Sequence, residues 1–154
     1  MNARVHATPY LERYGIGAFA NQYPAALSGG MRQRAALLRT LLCNKNFVML
    51  DEPFAALDAQ TRFRMQAWLL ELWKDFNLTV LFVTHDIDEA IFLSDEIIVL
   101  SPRPGRIRER IVVDAPRPRG PDFVTSPRFG QIKAHCLKLL FERDEADMPK
   151  GQPV

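Results

Sequence analysis

The sequence predicts an α/β layered fold with a mainly parallel sheet flanked by helices, and three features carry that prediction. Short apolar runs at Phe47–Leu50, Thr79–Thr84 and Ile97–Leu100 alternate with segments that have helix caps and helical spacing. The chain is 47% hydrophobic and 25% charged, as expected of a folded domain. Two of the runs end in chemically capable side chains, Asp51-Glu52 and His85. In such sheets ligands gather at the carboxyl ends of strands.

The elements follow in order. Thr8 to Tyr14 is expected as a short helix, ended by Gly15 and Gly17. Tyr23-Pro24 breaks the chain, and Ser28 can cap a helix from about Gly29 to Leu42. Phe47 to Leu50, stopped by Asp51-Glu52-Pro53, is expected as a strand buried on both faces. Asp58 can cap the next helix, where Met65, Trp68, Leu69, Leu72, Trp73 and Phe76 form an apolar stripe. Thr79 to Thr84 is a strand rich in β-branched residues. Asp86 to Leu93 is a short helix, and Ile97 to Leu100 is a third buried strand. Pro102-Arg103-Pro104-Gly105 turns the chain into Arg106–Val113, where apolar and charged residues mix as on an edge strand. The proline-rich residues 114–128 are expected as a linker. Phe129, Ile132, Cys136, Leu139 and Leu140 then share one face of a terminal helix. The expected division is a domain over 1–113, with a helical part at 1–42 and a core at 43–113, followed by 114–154 as linker and C-terminal helix.

Composition excludes several classes. No uninterrupted apolar run exceeds four residues, whereas a membrane-spanning helix needs roughly 20. Cys43 and Cys136 make neither a metal-ligand pair nor a disulfide framework and are expected as reduced thiols. Residues 1–101 carry 9 basic and 11 acidic side chains, and residues 102–143 carry 10 basic and 4 acidic. The arginines of that basic stretch, among them Arg103, Arg106, Arg117 and Arg119, are spaced by prolines with almost no aromatics between them. A platform for stacking bases is absent, so no nucleic-acid partner is expected.

Three segments carry chemistry. In Leu27-Ser28-Gly29-Gly30-Met31-Arg32-Gln33-Arg34, two glycines and a serine open a helix, leaving N–H groups outward with the positive end of the helix dipole behind them. A phosphate can approach closely there, and the Ser28 hydroxyl can donate to it. At Phe47 to Glu52, a strand-end carboxylate on Asp51 can hold Mg2+, directly or through water. Glu52, pointing differently, can take a proton from a water attacking a phosphate. In Val83-Thr84-His85-Asp86, the imidazole can donate to a terminal phosphate.

Together these segments resemble the ATP-binding cassette (ABC) ATPases, over about residues 8 to 113. Leu27 to Met31 looks like the signature loop, Phe47 to Glu52 like the Walker B motif, Ala55-Ala56-Leu57-Asp58 like the D-loop, and His85 like the switch histidine. Asp51 to Asp58, Thr84 to Ala90, Leu100 to Ile107 and Ala115-Pro116-Arg117-Pro118-Arg119 are similar to the importer ATPases for nitrate, sulfonate, taurine and bicarbonate. No residue here is expected to touch the transported solute, so that assignment is by analogy alone.

The resemblance implies a partial P-loop NTPase core plus part of the helical signature subdomain, with ATP and Mg2+ as cofactors. It also implies catalytic roles for Glu52 and His85, nucleotide contacts from Ser28, Gly29, Gly30 and Asp58, and a metal contact from Asp51. Implied partners are a second ABC ATPase subunit in a head-to-tail dimer, a transmembrane permease and, indirectly, a solute-binding protein. The implied location is peripheral, on the cytoplasmic face of the inner membrane. A P-loop needs Gly, four residues, then Gly-Lys-Ser or Gly-Lys-Thr, and no Gly-Lys dipeptide occurs in the 154 residues. The chain is therefore expected to be the carboxyl-terminal portion of a nucleotide-binding domain and, alone, not to hydrolyse ATP. In the family's dimers ATP lies between one subunit's P-loop and the other's signature loop. The alternative is thus a non-catalytic module that lends Ser28–Gly30 to ATP bound by a complete partner.

Overall fold

The computed structural model describes residues 3–43, 46–73, 75–76 and 78–141. The chain forms two compact units, Met1–His85 and Asp86–Val154.

The first unit begins with α1 (Ala3–Arg13). This helix starts earlier than the expected Thr8 and carries Pro9 inside it, where the missing N–H removes one rung of the helical ladder. Gly15, at φ +74, ends it in a conformation that glycine adopts without strain. Gly17 follows in a close approach, since an added Cβ there would meet Glu12 Cγ at 2.8 Å and Cα at 2.9 Å. Tyr14 then donates to Asp75 Oδ2, and Arg13 Nη2 lies 2.7 Å from Asp75 Oδ1. Burial and that hydrogen bond push the Tyr14 phenol well above its ordinary range. The chain then enters α2 (Gly29–Leu41), capped by Ser28, whose hydroxyl accepts from Met31 N at 3.3 Å.

Strand β1 (Phe47–Asp51) pairs in parallel with β2 (Thr79–Val83), and α3 (Ala59–Trp73) makes the crossover. The parallel pair agrees with the expected fold class. The expectation that β1 is buried on both faces does not hold. Val48 and Leu50 are buried while Phe47 and Met49 are 54% and 60% exposed. The pleat sends alternate side chains to opposite faces, and only one face belongs to the core. That core holds Leu37, Leu38, Leu41, Phe54, Met65, Leu69, Leu70 and Leu72. On α3, burial runs through Gln66 and Leu70 as well as the expected Met65, Leu69 and Leu72, and Trp68 and Trp73 are only half-buried.

The second unit contains α4 (Ile87–Leu93), the antiparallel pair β3 (Glu96–Leu100) and β4 (Ile107–Val112), α5 (Pro121–Val124) and α6 (Pro127–Phe141). Asp86 caps α4 by accepting from Asp88 N and Glu89 N. Strand β3 is another correction to expectation. Val99 is buried, but Ile98 and Leu100 stand on an open face. The buried side is completed by Ile91, Phe92, Leu93, Ile111, Val113, Phe129, Ile132 and Cys136. Leu140, expected on the apolar face of α6, is exposed. The proline-rich stretch packs into this unit rather than leading out of it. Arg119 is buried, and its guanidinium donates to the carbonyls of Ile91, Phe92, Ser94, Val113 and Ala115. Arg117 bonds Asp95 Oδ1 and the Leu93 carbonyl. Carbonyls at the C-terminal end of α4 thereby gain a charged donor. The part of the expected C-terminal helix and tail beyond residue 141 lies outside the described residues.

Candidate functional site

The register of β1 and β2 builds the centre of the site. Phe47 lies opposite Thr79 and Asp51 opposite Val83, so both strands finish level. One step later the Glu52 N–H donates to the Val83 carbonyl at 2.9 Å, which extends the pairing past the strand end. His85, two residues beyond β2, then brings Nδ1 to 2.9 Å from Glu52 Oε1. A carboxylate only accepts, so Nδ1 is the donor of this pair. Both side chains remain open to solvent, at 75% for His85 and 46% for Glu52.

Glu52 has φ +43, a left-handed backbone that is costly for a residue with a Cβ. Pro53 and Phe54 follow, and Phe54 is fully buried with its ring 6.0 Å from that of Phe82. The Glu52 carbonyl accepts from Ala55 N at 3.2 Å. The Pro53 carbonyl accepts from Gln33 Nε2, a contact reaching in from α2. Gln33 was no site candidate in the sequence, where it sits one turn inside a helix start like any half-buried polar residue.

Asp51 closes β1 on its exposed side. Among the described residues no group of three or more His, Cys, Asp or Glu is placed to hold a metal ion by itself. The hard oxygens of Asp51 suit Mg2+, which binds through one or two carboxylates and keeps waters and phosphate oxygens for its other positions.

The helix start at Ser28–Gly30 is a separate feature of the same unit. An added Cβ at Gly29 would find nothing nearer than Arg32 Nη2 at 4.0 Å. At Gly30 it would meet Thr61 Cγ2 at 3.4 Å. Gly29 is thus not demanded by packing, and its bare backbone leaves room for an anion on the N-terminus of α2. Arg32 Nη1 donates to the Leu27 carbonyl at 2.5 Å, folding this arginine back over the loop. Asp58 serves as the cap of α3, accepting from Thr61 N at 3.0 Å. The Thr61 side-chain hydrogen bond, with backbone donors from Thr61 and Gln60, holds its carboxyl below the ordinary range. The structure therefore joins Glu52 to His85 directly, sets Asp51 beside them in sequence, and places Ser28, Gly29 and Gly30 on α2 next to the α3 start that Asp58 caps.

Comparison with known proteins gives a consistent picture. The family model described as "ABC transporter" matches residues 2–55. The chain is 46% identical over 140 residues to an uncharacterized ABC transporter ATP-binding protein of Methanocaldococcus jannaschii, covering 90% of this chain and 51% of that protein. It is 45% identical over 134 residues to the aliphatic sulfonates import ATP-binding protein of Bacillus cereus, covering 87% and 52%. It is 43% identical over 110 residues to the nitrate import ATP-binding protein of a Synechocystis species, covering 71% and 41%. Among solved structures, a subunit of the ABC transporter complex cbiONQ of Clostridium perfringens matches with TM-score 0.56 and 29% identity, over 62% of this chain and 38% of that one. The chain spans about half the length of the relatives it matches.

Proposed function

Because the chain belongs to the ABC transporter ATP-binding proteins, we propose that it contributes the hydrolytic half of the ATPase subunit of an importer for small anions such as nitrate, sulfonate or taurine. The observation that carries this reading is the meeting of Glu52 and His85 at the level ends of β1 and β2. In this reading Asp51 would hold Mg2+ through water, and the metal would offset charge on the phosphates. Glu52 orients and polarises the attacking water, and its pairing with His85 fixes the carboxylate for that task. His85 stands where a terminal phosphate would be sensed. Ser28, Gly29 and Gly30 face the ATP of a second subunit, consistent with the open space at Gly29. Phosphoryl transfer of this kind depends on positioning and charge stabilisation more than on covalent chemistry.

The subunit would sit peripherally on the cytoplasmic face of the inner membrane, docked on a transmembrane permease and served indirectly by a solute-binding protein. Among the described residues no helix is long and apolar enough to cross a membrane.

The experiment tests Glu52 with a phosphate loop supplied on a separate polypeptide. Mixed with a separate polypeptide bearing the phosphate loop, the chain is expected to turn over Mg-ATP, and Glu52→Gln is expected to abolish it. Turnover that survives Glu52→Gln contradicts the assignment. A second reading, in which the chain only lends its signature loop, is favoured by the open space at Gly29. It predicts ATP-dependent association with a complete ABC ATPase subunit that Gly30→Asp abolishes and Glu52→Gln leaves intact.

A further inference from the structure

We propose that Gln33 is a positioning residue for Glu52, holding its carboxylate on His85 by fixing the carbonyl of Pro53 in the turn that follows it. The proposal rests on the reading of Glu52 as the hydrolytic carboxylate. The physical problem is the left-handed backbone of Glu52, which a side-chain-bearing residue does not keep unless its surroundings hold it. On one side its N–H is tied to the Val83 carbonyl at 2.9 Å. On the other side stands Pro53, which has no N–H to donate and whose ring fixes its own φ. The Glu52 carbonyl accepts from Ala55 N at 3.2 Å, and the Pro53 carbonyl lies inside that turn, before Phe54, whose ring is sealed in the core. Gln33 Nε2 donates to that carbonyl.

The choice of residue fits the task. An amide offers a neutral donor to a backbone carbonyl without bringing a cation beside the Glu52 carboxylate. Gln33 also lies on α2, the helix whose first turn is Ser28–Gly30. One hydrogen bond therefore connects the helix that opens with the loop read as facing a second subunit's nucleotide to the turn that carries Glu52. A shift of α2 along its axis would be felt at Glu52.

The test reads the Glu52–His85 contact itself, so it needs neither ATP nor turnover. Imidazole proton–nitrogen correlation spectra of the chain, recorded at about pH 8.5 where an ordinary histidine is neutral, report which ring nitrogen of His85 carries the proton. The wild-type chain is expected to show the Nδ1–H tautomer, and Glu52→Ala to lose it. Gln33→Leu is expected to lose it as Glu52→Ala does. The nearly isosteric Gln33→Glu, which can only accept when ionised, is expected to lose it while the far-ultraviolet circular dichroism stays native. Retention of the Nδ1–H signal in folded Gln33→Leu or Gln33→Glu overturns the proposal, as does its persistence in Glu52→Ala. If the tautomer follows Gln33 but turnover in the reconstituted mixture ignores Glu52→Gln, the hydrolytic reading fails and the positioning contact stands. If turnover needs Glu52 but the tautomer ignores Gln33, only the positioning role fails.

Discussion

His85 Nδ1 lies 2.9 Å from Glu52 Oε1 across the level carboxyl ends of two parallel strands. Neither residue reaches the other through its own strand. Glu52 leaves β1 with a left-handed backbone, and His85 arrives two residues past β2. The pairing links a residue read as a water-polarising base to one read as a phosphate sensor, so the state of one constrains the other.

Two glycines of this unit are predicted to respond oppositely to the same change. Gly17→Ala drives a Cβ to within 3 Å of the Glu12 backbone and is expected to cost about 1–3 kcal/mol by overpacking. Gly29→Ala meets no atom closer than 4.0 Å and is expected to change stability by less than about 0.5 kcal/mol. Urea titrations of the two variants check this. In the reconstituted dimer, however, Gly29→Ala is expected to weaken ATP-dependent association, because the added methyl enters the space read as an anion site.

The sequence made these sites legible to different degrees. Ser28 and Asp58 were readable as caps, since a short oxygen-bearing side chain before a helical segment has few other uses, and both cap in the structure. Glu52 and His85 were readable as strand-end polar groups, but their mutual contact depends on the β1–β2 register, a property of two segments 32 residues apart. Gln33 was hidden for the same reason, because its partner is a backbone carbonyl 20 residues away. The depth of β1 is not legible, because four consecutive apolar residues look the same whether one face or both are covered. The prolines of 114–128 mark a linker, and local composition holds no sign of the five carbonyls that surround Arg119.

Asp58 makes the stability of α3 depend on acidity. Its carboxyl titrates lower in the folded chain than the ordinary value because its ionised form accepts from Thr61 and Gln60. The stabilisation is therefore fully present above the ordinary carboxylate range, at about pH 4 and higher. It is lost as pH falls through the depressed folded value. Asp58→Asn keeps a capping oxygen and is expected to remove the acid sensitivity of α3 while preserving the helix at neutral pH. Amide hydrogen exchange in the first turn of α3, measured against pH, checks the prediction.

Arg119 is predicted to be the most sensitive position of the second unit. Burial draws its guanidinium below the ordinary arginine range, with the like charge of Arg117 adding to this and Asp95 opposing it. Arg119→Met keeps much of the volume but takes the guanidinium donor from the carbonyls of Ile91, Ser94 and Ala115. A loss of about 3 kcal/mol is expected, because buried acceptors stripped of a charged partner lose more than the bond itself. Arg117→Met, whose side chain is one-third exposed, is expected to cost about 1 kcal/mol. Chemical denaturation monitored in α4 and α6 separates the two.

Under the proposed function the Glu52 carboxylate and the His85 imidazole act as a single unit in ATP hydrolysis, and a double-mutant cycle on turnover tests this most directly. The chain is combined with a polypeptide bearing the phosphate loop, and Mg-ATP hydrolysis is measured for Glu52→Gln, His85→Ala and the pair together. Each single change is expected to slow turnover by about 100-fold or more, and the double variant is expected to be no slower than the worse single one. A double variant slowed by the product of the two single effects, or a Glu52→Gln variant as active as the unaltered chain, would contradict the account.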